Sequence, residues 1–325
     1  MNQASASLPH CARKTEQASW TVAILLSTYN GERYLAEQLD SLISQTHGNW
    51  VIHASDDGSR DATLSILQRY QRQLGEGRLV LHQGPAKGFS ANFLSLVRAA
   101  GVQACYYAFC DQDDIWSPEK LERGLAWISS KPSDKPLLHC SRTRLIDETG
   151  KPIGLSPLFE APLSFENALV QSIAGGNTML FNEETRKLLA TTRESSHIVS
   201  HDWWSYILVT GCGGEVCYDP EPTLNYRQHS QNLIGSNISI RGRLQRLRRL
   251  LKGTFKEWNE ANLAALAPPV RNHLTPHSLE ILELFAQART APLLQRLRLV
   301  RKAGIYRQTF QGNLGLFIAT LFQRF

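Results

Sequence analysis

From Thr21 to about Ser141, short and nearly unbroken apolar runs alternate with stretches whose apolar residues recur at three- and four-residue intervals. An apolar run without polar alternation fits a strand covered on both faces, and a 3.6-residue period fits a helix with one buried side. "VAILLS" (Val22 to Ser27) is such a run, and Leu35, Leu39, Leu42 and Ile43 put an apolar stripe on a helix predicted from Glu32 to Ser44. "WVIHAS" (Trp50 to Ser55) predicts a second strand, "DDGSRD" a turn at Gly58, and Leu64, Ile66, Leu67 and Tyr70 a helix from Ala62 to Leu74. "RLVLHQG", a helix from Ser90 to Ala100 and "CYYAFC" extend the series. The alternation predicts an α/β fold, a Rossmann-like, mostly parallel sheet flanked by helices, with ligands at the strand tips.

After Ser141 the pattern loosens. "TRLIDETGKPIG" reads as strand, tight turn and strand, "GGNTMLFNEET" as a strand entering a helix, and "HDWWSYILVTG" as a helix packed through Trp203, Ile207 and Leu208. "GEVCYDPEPTLNYRQH" predicts a strand and a Pro-broken extended segment, and beyond Gly235 the chain reads as a basic, helical C-terminal extension with a break at "APPV". The expected organisation is a flexible tail over 1–19, a catalytic domain over 20–235 (a ligand-binding half to 141, a second half from 142) and the basic region 236–325.

Composition narrows the class. The chain has 325 residues, 42% of them apolar, which suits a globular protein able to bury a core. The first nineteen residues lack the apolar stretch of a secretory signal, and no apolar run is long enough to span a bilayer as a helix. The six cysteines form no Cys-x-x-Cys pair and read as reduced, mostly buried thiols, so the expected location is the cytoplasm. The net charge of +6 is unevenly placed: "RGRLQRLRRLLKG" (Arg241 to Gly253) sets arginines around leucines at helical spacing. Such a helix suits peripheral contact with an anionic membrane, on the inner face of the cytoplasmic membrane for this chain, or packs its leucines on its own domain. Nucleic acid is not an expected partner, because no aromatic-interleaved or named nucleic-acid motif accompanies the charge.

The predicted strand tips carry the chemistry. "FCDQDDIW" delivers Asp111, Asp113 and Asp114 into one loop. Clustered carboxylates suit a divalent cation such as Mg²⁺ or Mn²⁺, which takes oxygen ligands and keeps positions for substrate phosphates; the competing role for Asp114 is to cap the helix after Ser117-Pro118. "STYNGERYL" brings together Thr28, Tyr29, Asn30 and Glu32, an aromatic face for a base and acceptors for a ribose, or simply a turn and a helix start. Asp56 and Asp57 suit a pyrimidine imide N–H. "GPAKGFSANF" holds Lys87 and Asn92, suited to phosphate, with neither the Walker nor the dinucleotide-binding glycine pattern, which disfavours an ATPase or a dinucleotide oxidoreductase.

These pieces together carry a family resemblance. "LLSTYNGERYLAEQLDSLISQT", "HASDDGSRDAT", "GFSANF", "FCDQDDIWSPEKLE", "GGNTMLFN", "SHDWW" and "NYRQHSQNLIG" follow one another from Leu25 to Gly235. In that order they resemble the family-2 glycosyltransferases of GT-A fold, and in particular the bacterial rhamnosyltransferase-like members that build cell-surface polysaccharides. The resemblance implies an inverting, metal-dependent transfer of a sugar from a dTDP- or UDP-linked donor to a saccharide or lipid-linked acceptor. It implies that the Asp111-Gln112-Asp113 motif holds the cation and the nucleotide sugar, with Asp113 the direct ligand and Asp111 a ribose or metal partner. Thr28, Tyr29, Glu32, Asp56 and Asp57 then line the nucleoside pocket.

Inversion needs a carboxylate to take the proton of the acceptor hydroxyl, and Asp202 in "SHDWW" is the candidate. It departs from the family pattern in having His201 before it. The alternative is that Asp202 only caps its helix and that Trp203 and Trp204 anchor it in the core instead of forming an acceptor platform. His229 in "YRQH" is a candidate metal ligand or a loop hydrogen-bonding group, and Arg227 a candidate diphosphate contact. Two other classes compete: a sugar-nucleotide nucleotidyltransferase, which needs a Gly-rich basic loop where "STYNGERYL" stands, and a non-catalytic module that holds a membrane or polyanion.

Overall fold

The computed structural model describes residues 20–229 and 254–325. The apolar runs of the first half become strands β1 (Val22–Thr28), β2 (Trp50–Asp56), β3 (Leu79–Gln83) and β4 (Tyr106–Cys110). Helices α1 (Leu35–Ile43), α2 (Thr63–Leu74) and α3 (Phe89–Arg98) connect them. The helix expected from Glu32 begins three residues later, because the amides of Tyr34 and Leu35 both turn back onto the Gly31 carbonyl. There follow β5 (Ile115–Trp116), α4 (Lys120–Ile128), β6 (Leu137–Ser141), β7 (Arg144–Ile146), β8 (Pro152–Leu155) and α5 (Phe165–Ala168). Then come β9 (Leu180–Asn182), α6 (Glu183–Ala190), α7 (His201–Gly211), β10 (Glu215–Asp219) and β11 (Leu224–Arg227). The C-terminal helices are α8 (Thr254–Ala265), α9 (Pro276–Thr290), α10 (Leu293–Lys302) and α11 (Phe310–Leu321).

The main sheet runs β10-β6-β9-β4-β1-β2-β3, parallel except for β9, which is antiparallel to both β4 and β6. β1 lies at its centre, and its side chains divide between two cores. Val22, Ile24 and Leu26 join the layer under α1, α2 and α4, while Ala23 and Leu25 join the layer of α3, α5 and α7. Each fully buried aliphatic side chain of this kind contributes about 2 kcal/mol, which is why an unbroken apolar run signals a central strand. Register brings Thr28 opposite Asp56 and Leu26 opposite Cys110, so the loops after β1, β2 and β4 open at one edge.

A second sheet, β5-β11-β7-β8, covers that edge from the side, with β11 antiparallel to β5 and parallel to β7. It brings the segment ending at His229 against the Asp113 loop. The C-terminal helices are built into the same core as the catalytic body: Phe255, Leu266, Ile281, Phe285 and Phe325 share one apolar cluster with Trp203, Trp204 and Ile207. Among the described residues no helix is long and apolar enough to cross a membrane. The described cysteines are unpaired, with Cys110 and Cys140 buried and Cys105 exposed. Arg241 to Gly253, the expected membrane-binding helix, lies outside the described residues.

Candidate active site

Gln112 joins the loop after β4 to the loop after β1. Its Oε1 accepts from the Tyr29 amide at 2.8 Å and its Nε2 donates to the Tyr29 carbonyl at 3.0 Å, so one side-chain amide pairs with the main chain as a neighbouring strand would. Gly31 makes room for it, since a Cβ there would fall well inside contact distance of Gln112 Oε1. Tyr29 keeps its ring 56% exposed, available to a planar ligand.

The β1 and β2 loops are tied by further carboxylate and amide contacts. Asp56 accepts from Thr28 Oγ1 at 2.9 Å and from the amides of Gly58 and Ser59. Asp57 accepts from the amides of Ala86 at 2.7 Å and Gly88 at 2.8 Å, fixing the loop that carries the exposed Lys87. Asn30 stands at φ 47°, a left-handed conformation that asparagine tolerates, and accepts from the Arg60 amide. Glu32 Oε2 accepts from the Ala62 amide at 2.8 Å while its own amide donates to Asp61. These residues therefore hold the loops on one side of the cleft; both carboxylate oxygens of Asp57 and one of Glu32 are engaged in doing so.

Three expectations need correction. Asn92, expected to meet phosphate, is wholly buried: its Nδ2 donates to Ser27 Oγ and the Ser55 carbonyl, both at 2.8 Å, cross-bracing β1 and β2. Arg227, expected to meet the diphosphate, is 2% exposed; it pairs with Glu37, donates from Nε to the Asp113 carbonyl at 3.1 Å, and lies 4.6 Å from the Tyr34 ring centre. Asp114 neither joins a surface cluster nor caps a helix. It is fully buried, accepts from Asn177 Nδ2 and from the Arg227 amide at 3.1 Å, and burial with its neighbouring carboxylates raises its pKa well above the usual range. In each case a long-range partner, invisible in the local motif, takes the polar group inward.

Asp113 faces the cleft. Its Oδ2 lies 2.8 Å from His229 Nε2, and His229 packs 5.2 Å from Tyr34, ring centre to ring centre. Asp111 lies two residues earlier, directly after β4, where burial, Asp113 and Asp202 all raise its proton affinity. The charge of Asp202, from the second half of the chain, is thus felt at Asp111 in the first. Among the described residues no three His, Cys, Asp or Glu groups converge into a cage for an ion. The donor pair fits a cation completed by substrate: two neighbouring ligands about 2.1 Å from one octahedral ion stand about 3 Å apart, close to the observed Asp113–His229 spacing.

Asp202 lies in the first turn of α7. Its Oδ1 accepts from the Trp203 amide at 2.6 Å, and it is also held by Ser200 and the Gly176 amide, while burial raises its pKa. The tryptophans are anchors: Trp203 Nε1 donates to the Ala168 carbonyl at 2.6 Å and Trp204 Nε1 to Thr192 Oγ1 at 2.8 Å. His201 turns into the core, stacked 3.9 Å from Phe93, with both ring nitrogens buried and unpartnered. The glycine motif before β9 matters here, because a Cβ on Gly176 would collide with the His201 ring. Tyr34 and Glu37, which carry Arg227 and hence His229, escaped the sequence reading; their only signal is i, i+3 spacing in the turn entering α1.

Residues 23–150 match the model of the glycosyl transferase family 2. That segment is a family 2 glycosyltransferase domain. Over 236 residues this glycosyltransferase is 29% identical to the dTDP-rhamnosyl transferase RfbG of Shigella flexneri, covering 68% of this chain and 78% of that protein. It is 29% identical over 165 residues to the putative teichuronic acid biosynthesis glycosyltransferase TuaG of Bacillus subtilis, covering half of this chain and 62% of that one, less than two thirds. Two solved structures share the fold at 16% identity and a TM-score of 0.50. One is S. aureus TarS 1-349 in complex with UDP, over 87% of this chain and 90% of that one. The other is the mannosyltransferase PcManGT of Pyrobaculum calidifontis with GDP-Man and Mn²⁺, over 95% of this chain and 87% of that one. The fold is GT-A, and the nucleotidyltransferase and non-catalytic readings give way to glycosyl transfer.

Proposed function

We propose that this glycosyltransferase inverts the anomeric centre of a sugar carried on a nucleoside diphosphate, dTDP or UDP, and passes it to a saccharide or lipid-linked acceptor of the cell surface. Rhamnose is the first donor to test, on the likeness to RfbG. The observation that carries the reading is the meeting of Asp113 with His229 beside Asp111, a buried carboxylate at which the charge of Asp202 is felt.

Asp113 and His229, with Asp111 beside them, would hold a divalent cation, Mg²⁺ or Mn²⁺. When bound, it supplies positive charge that stabilises the departing diphosphate. The chain's own work is positional. Tyr29 offers its ring to the base; Gln112, Asp56 and Asp57 fix the loops around the nucleoside; Lys87 stands at the third loop as an exposed positive charge. The acceptor oxygen attacks the anomeric carbon, the bond to the diphosphate oxygen breaks with its electron pair, and Asp202 takes the acceptor's proton. A raised pKa matches that task, since a carboxylate must be basic enough to accept a proton and still be ionised when the acceptor binds.

The basic C-terminal region would bring the enzyme to the inner face of the cytoplasmic membrane, where a lipid-linked acceptor is presented. The test is nucleoside-diphosphate release from dTDP-, UDP- and GDP-sugars with and without Mn²⁺, using membrane extract as acceptor, followed by the anomeric configuration of the product. Metal-dependent release from one donor with inverted product supports the reading; retention of configuration, or equal release with chelator, overturns it.

A further inference from the structure

The last helix is apolar on two opposite sides. Leu316, Ala319 and Thr320 of α11 are buried against the body at 4% exposure or less, whereas Phe310, Leu314 and Phe317 stand 84%, 51% and 52% exposed. The i, i+4, i+7 spacing puts those three on one narrow stripe directed away from the core. Phe322, directly after the helix, is a further exposed aromatic at 66%. A contiguous patch of large apolar side chains marks a contact surface.

Charge identifies the partner. Beyond Glu283 the chain has no Asp or Glu, and Arg298, Arg301, Lys302 and Arg324 are exposed. Glu280 reaches one of them, Lys302, at 4.0 Å. Arg296 joins the charged helix to the apolar one, donating from Nη1 to the Thr320 carbonyl at 2.9 Å and from Nε to the Ala291 carbonyl at 3.2 Å. An exposed apolar stripe on a helix joined to a cation-rich one matches a lipid surface with acidic headgroups, in which aromatic side chains enter the acyl boundary and cations meet phosphates. A second copy of this chain fits less well, because a two-fold contact would set like charges against each other. The helix has 12 residues, too short to span a bilayer.

We propose that α11, with the cations of α10, docks the enzyme on an anionic bilayer. This deepens the membrane contact proposed above and rests on it only in placing the acceptor at a bilayer. Hydrogen bonds link the docking surface to the helix of Asp202. Gln308, between α10 and α11, donates to Asn167 Oδ1 at 3.1 Å, and the same oxygen accepts from Tyr206 of α7, the helix that carries Asp202.

The experiment uses the full chain, floated with phosphatidylcholine vesicles with and without phosphatidylglycerol. Phe317→Trp serves as reporter and a Phe310→Ser/Phe317→Ser double substitution as challenge. Binding to the anionic vesicles alone is expected, reduced about tenfold or more in the double variant. The emission that Phe317→Trp adds to that of the seven native tryptophans, read as the difference from the native chain, should shift to the blue and be quenched by brominated lipid. Undiminished binding of the double variant, or an emission that ignores the vesicles, overturns the proposal. A concentration-dependent blue shift without lipid overturns it in favour of self-association. Donor hydrolysis without vesicles reads the active site separately: its absence from the native chain counts against the transfer reading, and the lipid surface stands or falls on the flotation alone.

Discussion

His229 Nε2 lies 2.8 Å from Asp113 Oδ2 although 116 residues separate the two in the chain. β11 makes this possible by pairing with β5, the two-residue strand that follows the aspartates, so the second sheet carries the histidine to the tip of the first. If the pair holds the cation of the donor complex, Asp113→Asn should reduce metal-dependent donor turnover by at least about a hundredfold. His229→Ala, which leaves the carboxylate, should raise the Mn²⁺ concentration needed for half activity about tenfold or more. Calorimetric titration of donor in the presence of Mn²⁺ checks both; unchanged metal dependence in His229→Ala removes it from the ligand set.

Asp202 is held at the start of α7 by Ser200 and the amides of Gly176 and Trp203, so an isosteric change keeps the loop intact. Asp202→Asn should bind donor normally and lose transfer by about 10²–10⁴-fold. In the native enzyme a general base works only when ionised. Because burial raises its pKa, transfer should begin to fall on the acid side at a pH above the ordinary aspartate range, about tenfold per unit once below the folded pKa. A pH profile of kcat with donor and acceptor saturating tests this, and an Asp202→Asn enzyme with native kcat excludes the assignment.

The Gln112 amide fits only because residue 31 lacks a side chain. Gly31→Ala should push the amide off Tyr29, raise KM for the donor several-fold, and destabilise the fold by about 1–3 kcal/mol. Gln112→Ala combined with Gly31→Ala should show a non-additive effect on KM, because the same contact is removed twice. Strict additivity in that cycle would mean that the two residues act independently.

The first β/α units were legible because Val22 to Leu26 must be apolar on both sides to sit at the centre of a sheet. β9 was less so: three residues long and antiparallel, it is chosen by its neighbours β4 and β6 and not by a pattern of its own. Asp113 and His229 were readable as a carboxylate and an imidazole in segments after predicted strands, and Asp202 as a carboxylate at the start of a predicted helix. Asn92, Asp114 and Arg227 looked like ligand groups for the same reason, and only tertiary contacts with Ser27, Asn177 and Glu37 turn them into supports. A short motif gives residue type and neighbourhood; whether a polar side chain faces the cleft depends on partners as much as 190 residues away, as for Arg227 and Glu37.

Arg227 is such a support, and its removal should be costly. Its guanidinium is buried against Tyr34, pairs with Glu37, and satisfies the carbonyls of Asp113 and Glu148. Arg227→Ala should lose about 3–5 kcal/mol of stability, by unpairing buried groups as well as by opening space. Lysine should restore little, since a point charge cannot serve several acceptors in the plane of a fork. Urea unfolding of both variants decides; a fully stable Arg227→Lys would show that charge alone suffices.

His201 provides a stability test at acid pH. Both nitrogens are buried without a partner and burial lowers the pKa from 6.5 to about 3, so the folded chain holds the ring neutral. Above pH 6.5 the unfolded chain is neutral there too, and His201 imposes no pH dependence. Between 6.5 and about 3 the unfolded chain binds a proton that the folded chain does not, so stability falls with pH by up to about 1.4 kcal/mol per unit. His53 and His139, each lowered to about 4, add slopes of the same sign. His201→Phe fits the aromatic surroundings of Phe93 and Phe109 and removes one of these contributions. Its unfolding free energy should therefore lie closer to, or above, the native value at about pH 5 than at about pH 7.5, by roughly 1–2 kcal/mol. Parallel stability curves for the two proteins across that interval would show that the native chain relieves the buried ring by protonating it in the folded state.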